Sequence, residues 1–140
     1  MTVNEALVSL VLANAAITNV IGQRFTPALA LDGKAMPCAI YQRISGRHVE
    51  SLKGSSGLCF ARYQITTLAT TYKQAAELGE LVRLCLEGYS GIVTDLNING
   101  ITWEGDGDLL DASPDLDAAR IYGFLNDFMI AYNEAQPSFA

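Results

Sequence analysis

LCFARYQITTLATTYKQAAELGELVRLCL, residues 58–86, is the stretch whose reading decides the fold. Its first part alternates at period two. Cys59, Ala61, Tyr63 and Ile65 fall on one side, and Phe60, Arg62, Gln64, Thr66 and Leu68 on the other, the pattern of a strand over Cys59 to Ala69. Thr71 and Gln74 then stand three apart as a capping pair, in which the side chains satisfy orphan backbone N–H groups. Ala75, Leu78, Val82 and Cys85/Leu86 recur at helical spacing, and Gly88 supplies a left-handed stop, so a helix over 72–87 follows the strand directly. A strand feeding a helix that folds back over it is the nucleus of a small α+β domain.

Outward from that unit, the flanks read as more strands and one more helix. Thr2 and Glu5 form a second capping box, and Val3, Leu7, Leu10, Val11 and Ile17 an apolar face, which predicts a helix over 3–17. Arg24 to Leu31, interrupted by Pro27, reads as an edge strand or loop wall. Cys38 to Ser45 reads as a strand, and 46–57 as a flexible loop or the tip of a long hairpin. Asn99-Gly100 between two apolar runs predicts a hairpin of Ile92–Asn97 and Gly100–Glu104. Residues 105–116 are acidic and turn-rich. Ala118 to Tyr132 is the last strand, apolar on both sides and therefore expected to be covered on both. The whole predicts an α+β fold: a mainly antiparallel sheet with two principal helices on one face. It forms a single domain over 1–132, with a loose tail over 133–140.

At 140 residues the chain is long enough for one unstapled core. Half its residues are hydrophobic and its mean hydropathy is +0.21, so either the core is efficient or some apolar surface is covered by other subunits. The net charge of −6 is unevenly spread. Residues 1–83 hold eight Lys/Arg against five Asp/Glu, whereas 84–140 hold Arg120 alone against ten Asp/Glu. Such polarity suits head-to-tail contact between copies, or an acidic wall on a channel; solvation of exposed loops would use the acids equally well. Cys38, Cys59 and Cys85, spaced apart in apolar stretches, read as free thiols of a reducing compartment. The apolar start has Glu5 before the run and no positive charge, and Asn14 and Asn19 interrupt it, so it reads as a helix of a cytoplasmic protein and not as a signal peptide or membrane span.

Candidate chemical sites are few. His48, the single histidine, sits beside Arg47 and Glu50 with no nucleophile in an elbow context, and reads as an exposed loop residue. Asp106-Gly107-Asp108-Leu109-Leu110-Asp111 has the composition of a calcium loop but neither its ligand order nor its closing Glu. Gly54-Ser55-Ser56-Gly57 lacks the Lys-Ser/Thr and the following helix of a phosphate loop. Arg43, Arg47, Lys53 and Arg62 make a basic set, but the overall acidity and the lack of an aromatic platform argue against nucleic-acid binding. No carboxylate pair, triad or metal-ligand cluster stands out, and no catalytic residue, metal or cofactor is expected. Charge assigns the candidate subunit interface: Arg43, Arg47, Lys53 and Arg62 on one edge, Glu104, Asp106, Asp108 and Asp111 on the other.

The order of pieces resembles one known family. These are Glu5-Ala6-Leu7 to Ile17, Val20-Ile21-Gly22-Gln23-Arg24-Phe25, Met36-Pro37-Cys38-Ala39-Ile40-Tyr41-Gln42-Arg43, Ala61-Arg62-Tyr63-Gln64-Ile65, Thr71-Tyr72-Lys73-Gln74-Ala75 running to Val82-Arg83, and Arg120 to Tyr132. Taken together they resemble the tail-completion, or tail-terminator, proteins of long-tailed bacteriophages. The resemblance implies a structural virion protein with no catalytic residues. It implies assembly in the bacterial host cytoplasm into a ring, usually a hexamer, on the head-proximal end of the tail tube. That ring stops tube polymerisation, offers a surface to the head connector and lets DNA through its lumen without specific binding, with no membrane involved. Another head–tail connector or adaptor is the alternative, and a small-ligand-binding α+β domain a more distant one.

Overall fold

The computed structural model describes residues 1–27, 35–51, 54–109 and 121–133. Along the chain run α1 (Val3–Leu12), α2 (Ala15–Ile21), β1 (Phe25–Pro27), β2 (Cys38–Ser51), β3 (Gly54–Ala69), α3 (Tyr72–Leu86), β4 (Gly91–Val93), β5 (Leu96–Leu109) and β6 (Tyr122–Asn133). The six strands form one sheet in the order β1-β2-β3-β6-β5-β4. Every pairing is antiparallel except that of β1 with β2. This is the expected α+β architecture, with the helices gathered on one face.

The alternation in β3 builds the core. Cys59, Ala61, Tyr63 and Ile65 are all buried, and their cross-strand partners Tyr132, Ile130 and Phe128 on β6 are buried with them. From α3, Ala75, Leu78, Gly79, Val82 and Leu86 close over them. Thr71 Oγ1 accepts from Gln74 N at 3.2 Å, as the capping pair predicts, and Gly88 has φ +79 just past the helix end.

Three local readings are corrected. Residues 3–17 do not form one helix. Asn14 Oδ1 accepts from Ile17 N at 3.3 Å and starts α2, which is bent 87° from α1. A short amide side chain competes with helix continuation and gains more as a cap. The bend lets Val3, Ala6, Leu7 and Val11 on one helix and Ile17 and Ile21 on the other reach the same core. No single helix among the described residues is long and apolar enough to cross a membrane; the α1–α2 pair passes by length and composition only when taken together.

The second correction concerns Asn99-Gly100. The turn lies instead at Thr94-Asp95, with Thr94 at φ +56, and β5 runs straight through 98–100. Ile98 faces Tyr132 and Gly100 faces Ala131, so Asn99 is the extra residue of a bulge. Ile98 and Ile101 are three apart, and only a bulge puts both on one face of a strand; both are buried. A turn at 98–100 would have left Ile98 in water. A second bulge between Trp103 and Gly105 carries the strand on to Leu109, through residues expected to be turn-rich.

The third correction concerns strand limits and coverage. β2 runs past the expected Ser45 to Ser51 and β3 begins at Gly54, so most of 46–57 belongs to a long hairpin, the second of the two readings given for it; β6 starts at Tyr122, and residues 118–120 lie outside the described set. Asn133 is the last residue of β6, paired with Leu58, and the rest of the expected tail lies outside the description. The far side of β6 is less covered than its apolar pattern suggests: Leu125 and Met129 are half-buried. They share that face with Arg62 and Asp127, joined at 3.4 Å. Toward one end of it, Leu68 and Leu109 close over Gly123, where an added Cβ would stand 2.8 Å from the Leu109 side chain.

Candidate assembly surface

The sheet ends in two unequal steps. β1 covers only Ala39, Ile40 and Tyr41 of β2. Beyond Tyr41 the outer edge of β2 has no strand partner among the described residues, and residues 42–48 are all exposed. At the other side, β4 covers Leu96, Asn97 and Ile98 of β5, and the Gly88–Tyr89 backbone bonds to Ile101. From Thr102 to Leu109 the outer edge of β5 has no strand partner among the described residues. The bare part of β2 lies toward the hairpin tip; the bare part of β5 lies toward the opposite end of the sheet.

The charges predicted for an interface distribute over these features. Arg43 and Arg47 lie on the bare stretch of β2. Arg43 Nη2 donates to Tyr132 Oη at 3.4 Å, and the Arg47 guanidinium stands 4.9 Å from the Phe60 ring centre. Arg62 is one strand further in, on β3, and is engaged by Asp127 of its own chain. Glu104, Asp106 and Asp108 lie along the bare stretch of β5, all exposed. Tyr72 Oη, at the start of α3, donates to Asp108 Oδ1 at 2.8 Å, which raises the phenol's pKa. Lys53 and Asp111 lie outside the described residues.

The interior behind the edges is held by polar contacts that period-two reading passes over. Asn126 on β6 is buried; its Nδ2 donates to Gly79 O at 3.0 Å and its Oδ1 accepts from Trp103 Nε1 at 3.1 Å. Thr67 Oγ1 donates to Ala75 O at 2.8 Å. Asn126 and Thr67 thereby tie α3 to the centre of the sheet. Tyr63 Oη donates to Asn4 Oδ1, linking β3 to α1. Burial pushes the Tyr63 phenol up to about 12, against the lowering effect of the nearby Arg43 guanidinium.

His48, expected in a loop, is on β2 with Nδ1 2.9 Å from Cys59 Sγ, and that sulfur is buried. Cys38 and Cys59 are buried, while Cys85 is half-buried with its thiol pushed up chiefly by burial. Among the described residues no group of three His, Cys, Asp or Glu is placed to hold a metal. An open cavity of about 360 Å³ at the start of α1 is lined by Met1, Asn4, Glu5, Val8, Ser9 and Tyr41.

The geometry thus offers two strand edges without strand partners among the described residues, one carrying Arg43 and Arg47 and the other Glu104, Asp106 and Asp108. The comparisons give the family. A protein-family profile described as "Tail completion protein gp17" matches residues 5–122, and the chain belongs to that family. A search of the curated proteins found no match. Among solved structures, a chain of "Virion of native gene transfer agent (GTA) particle" superposes with a TM-score of 0.72 at 11% identity, covering 92% of this chain and 92% of that one. At that identity the likeness is one of fold. The chain is therefore a non-catalytic structural protein of the tail-completion type, placed at the tail–head junction of the virion, where it associates with tail and head assembly components.

Proposed function

We propose that copies of this chain, six in number, close into a ring on the head-proximal end of the tail tube. The ring ends tube polymerisation, offers its free side to the head connector, and lets DNA pass through its lumen without binding it specifically. The observation that carries this reading is the family match over residues 5–122. The two oppositely charged sheet edges, without strand partners among the described residues, support it, because a closed ring requires one surface of each copy to fit a different surface of the next. Subunit contacts run through Arg43, Arg47, Lys53 and Arg62 on one side and Glu104, Asp106, Asp108 and Asp111 on the other.

The test is tube assembly in the presence of the purified chain. Tail-tube subunits polymerised with it give tubes of arrested length, bearing density at one end that amounts to six copies by mass. Tubes that grow unchecked, with the chain binding only the head connector, would replace this reading with that of an adaptor.

A further inference from the structure

We infer that neighbouring copies are joined strand to strand: the bare edge of β2 in one copy pairs antiparallel with the bare edge of β5 in the next, continuing the sheet from subunit to subunit. The inference rests on the ring reading and specifies its joint.

Three observations converge. First, the steps are complementary in length. Among the described residues, β2 has no strand on its outer edge from Gln42 to Arg47 and β5 has none from Thr102 to Leu109, each stretch starting beside a short strand or backbone contact that stops a longer overlap. Second, the direction is right. Within the sheet β2 and β5 run oppositely, since β3 and β6 stand between them and each contact is antiparallel. Copies related by a simple turn about a ring axis therefore present these edges antiparallel.

Third, the charges and bulges match in one register. The helix-side face of β2 carries Arg43, Gly46 and His48, because a bulge between Arg43 and Ser45 shifts the alternation. The same face of β5 carries Trp103, Asp106 and Asp108 through its own bulge between Trp103 and Gly105. Setting Arg43 of one copy opposite Asp108 of the next brings Gly46 opposite Asp106 and His48 beside Glu104. On the other face Ser45 and Arg47 then meet Gly107 and Gly105. In that register the end of β5 stops where β1 begins to cover β2, and the described end of β2 stops near the Gly88–Ile101 contact. Unpaired edges of this length are an aggregation hazard that proteins seldom leave open unless a partner fills them.

The experiment uses two single variants, Ser45→Cys and Gly107→Cys. Neither position is crowded: Ser45 is exposed, and an added Cβ at Gly107 meets nothing within 4 Å. In one chain they are separated by two intervening strands, beyond the reach of a disulfide. Mixed and oxidised with tail tubes present, the pair should form the mixed dimer at least about tenfold over either self-dimer, a bias equivalent to ~1.4 kcal/mol. Arg43→Asp should cut that yield about tenfold, and Asp108→Arg in the partner chain should restore it. Self-dimers in equal yield, or none beyond the unsubstituted protein, overturn the edge joint. If rings are still seen by electron microscopy without the mixed dimer, the joint fails and the collar stands; if neither is seen, both fail.

Discussion

Gly79 is the residue on which the closeness of helix and sheet depends. A Cβ there would stand 2.4 Å from Phe124 Cδ1 and 3.2 Å from Thr67 Oγ1. Ala at a helix interior usually gains up to ~1 kcal/mol over Gly, but overpacking a tight core costs about 1–3 kcal/mol. Gly79→Ala should therefore lower stability, seen as a reduced urea midpoint with an unchanged slope. Tyr63 makes a second prediction. Its phenol titrates near 12 when folded and near 10 when unfolded, so between those values the unfolded chain has already lost a proton that the folded chain keeps. Stability contributed by the neutral phenol is full below pH 10 and falls as pH rises toward 12, with a slope up to about 1.4 kcal/mol per pH unit. Urea midpoints across that window should flatten in Tyr63→Phe, although the variant starts lower for want of the Asn4 hydrogen bond.

At the scale of elements, α2 exists as a separate helix because Asn14 caps it. Asn14→Ala should cost about 1 kcal/mol, while Asn14→Gly costs only a few tenths, measured by thermal unfolding. The same residue shows what the sequence made legible. Strong periodic elements with clear caps, β3 and α3 above all, could be read because their pattern and their burial have one cause. The α1–α2 break could not be separated from one longer helix, since Leu10, Val11 and Ile17 keep helical spacing across it. The Asn99-Gly100 turn signal was genuine local chemistry, outweighed by the burial of Ile98 and Ile101. Bulges are invisible to a period-two reading, and three of them decide which face Arg43, Ile101 and Asp106 occupy. The acidic 105–109 segment was read as turn-rich because aspartates and glycines are poor strand formers. Pairing with β6 overrides that preference. The charged residues of the candidate surface were legible as a set, but their division between an outer edge and an inner strand needed the sheet order.

For the whole molecule, part of the division of charge along the chain becomes a division between two strand edges of one sheet, Arg43 and Arg47 on β2 and Glu104, Asp106 and Asp108 on β5. Exposed ion pairs are screened by salt, whereas backbone hydrogen bonds are not. Assembly measured by light scattering should therefore weaken, by roughly tenfold, between about 0.05 M and about 0.5 M salt without disappearing. The stepped outline of the sheet has a further geometric result. Within one copy Arg43 is level with Trp103, yet across the joint it meets Asp108; with Glu104 taken up by the bulge, each neighbour is offset by four ladder positions, about 14 Å along the strands. Upright strands would turn that offset into a spiral staircase that climbs past its own first step. Only if every subunit leans, as staves lean in a sheared barrel, can the climb be cancelled and the last copy meet the first at the same height.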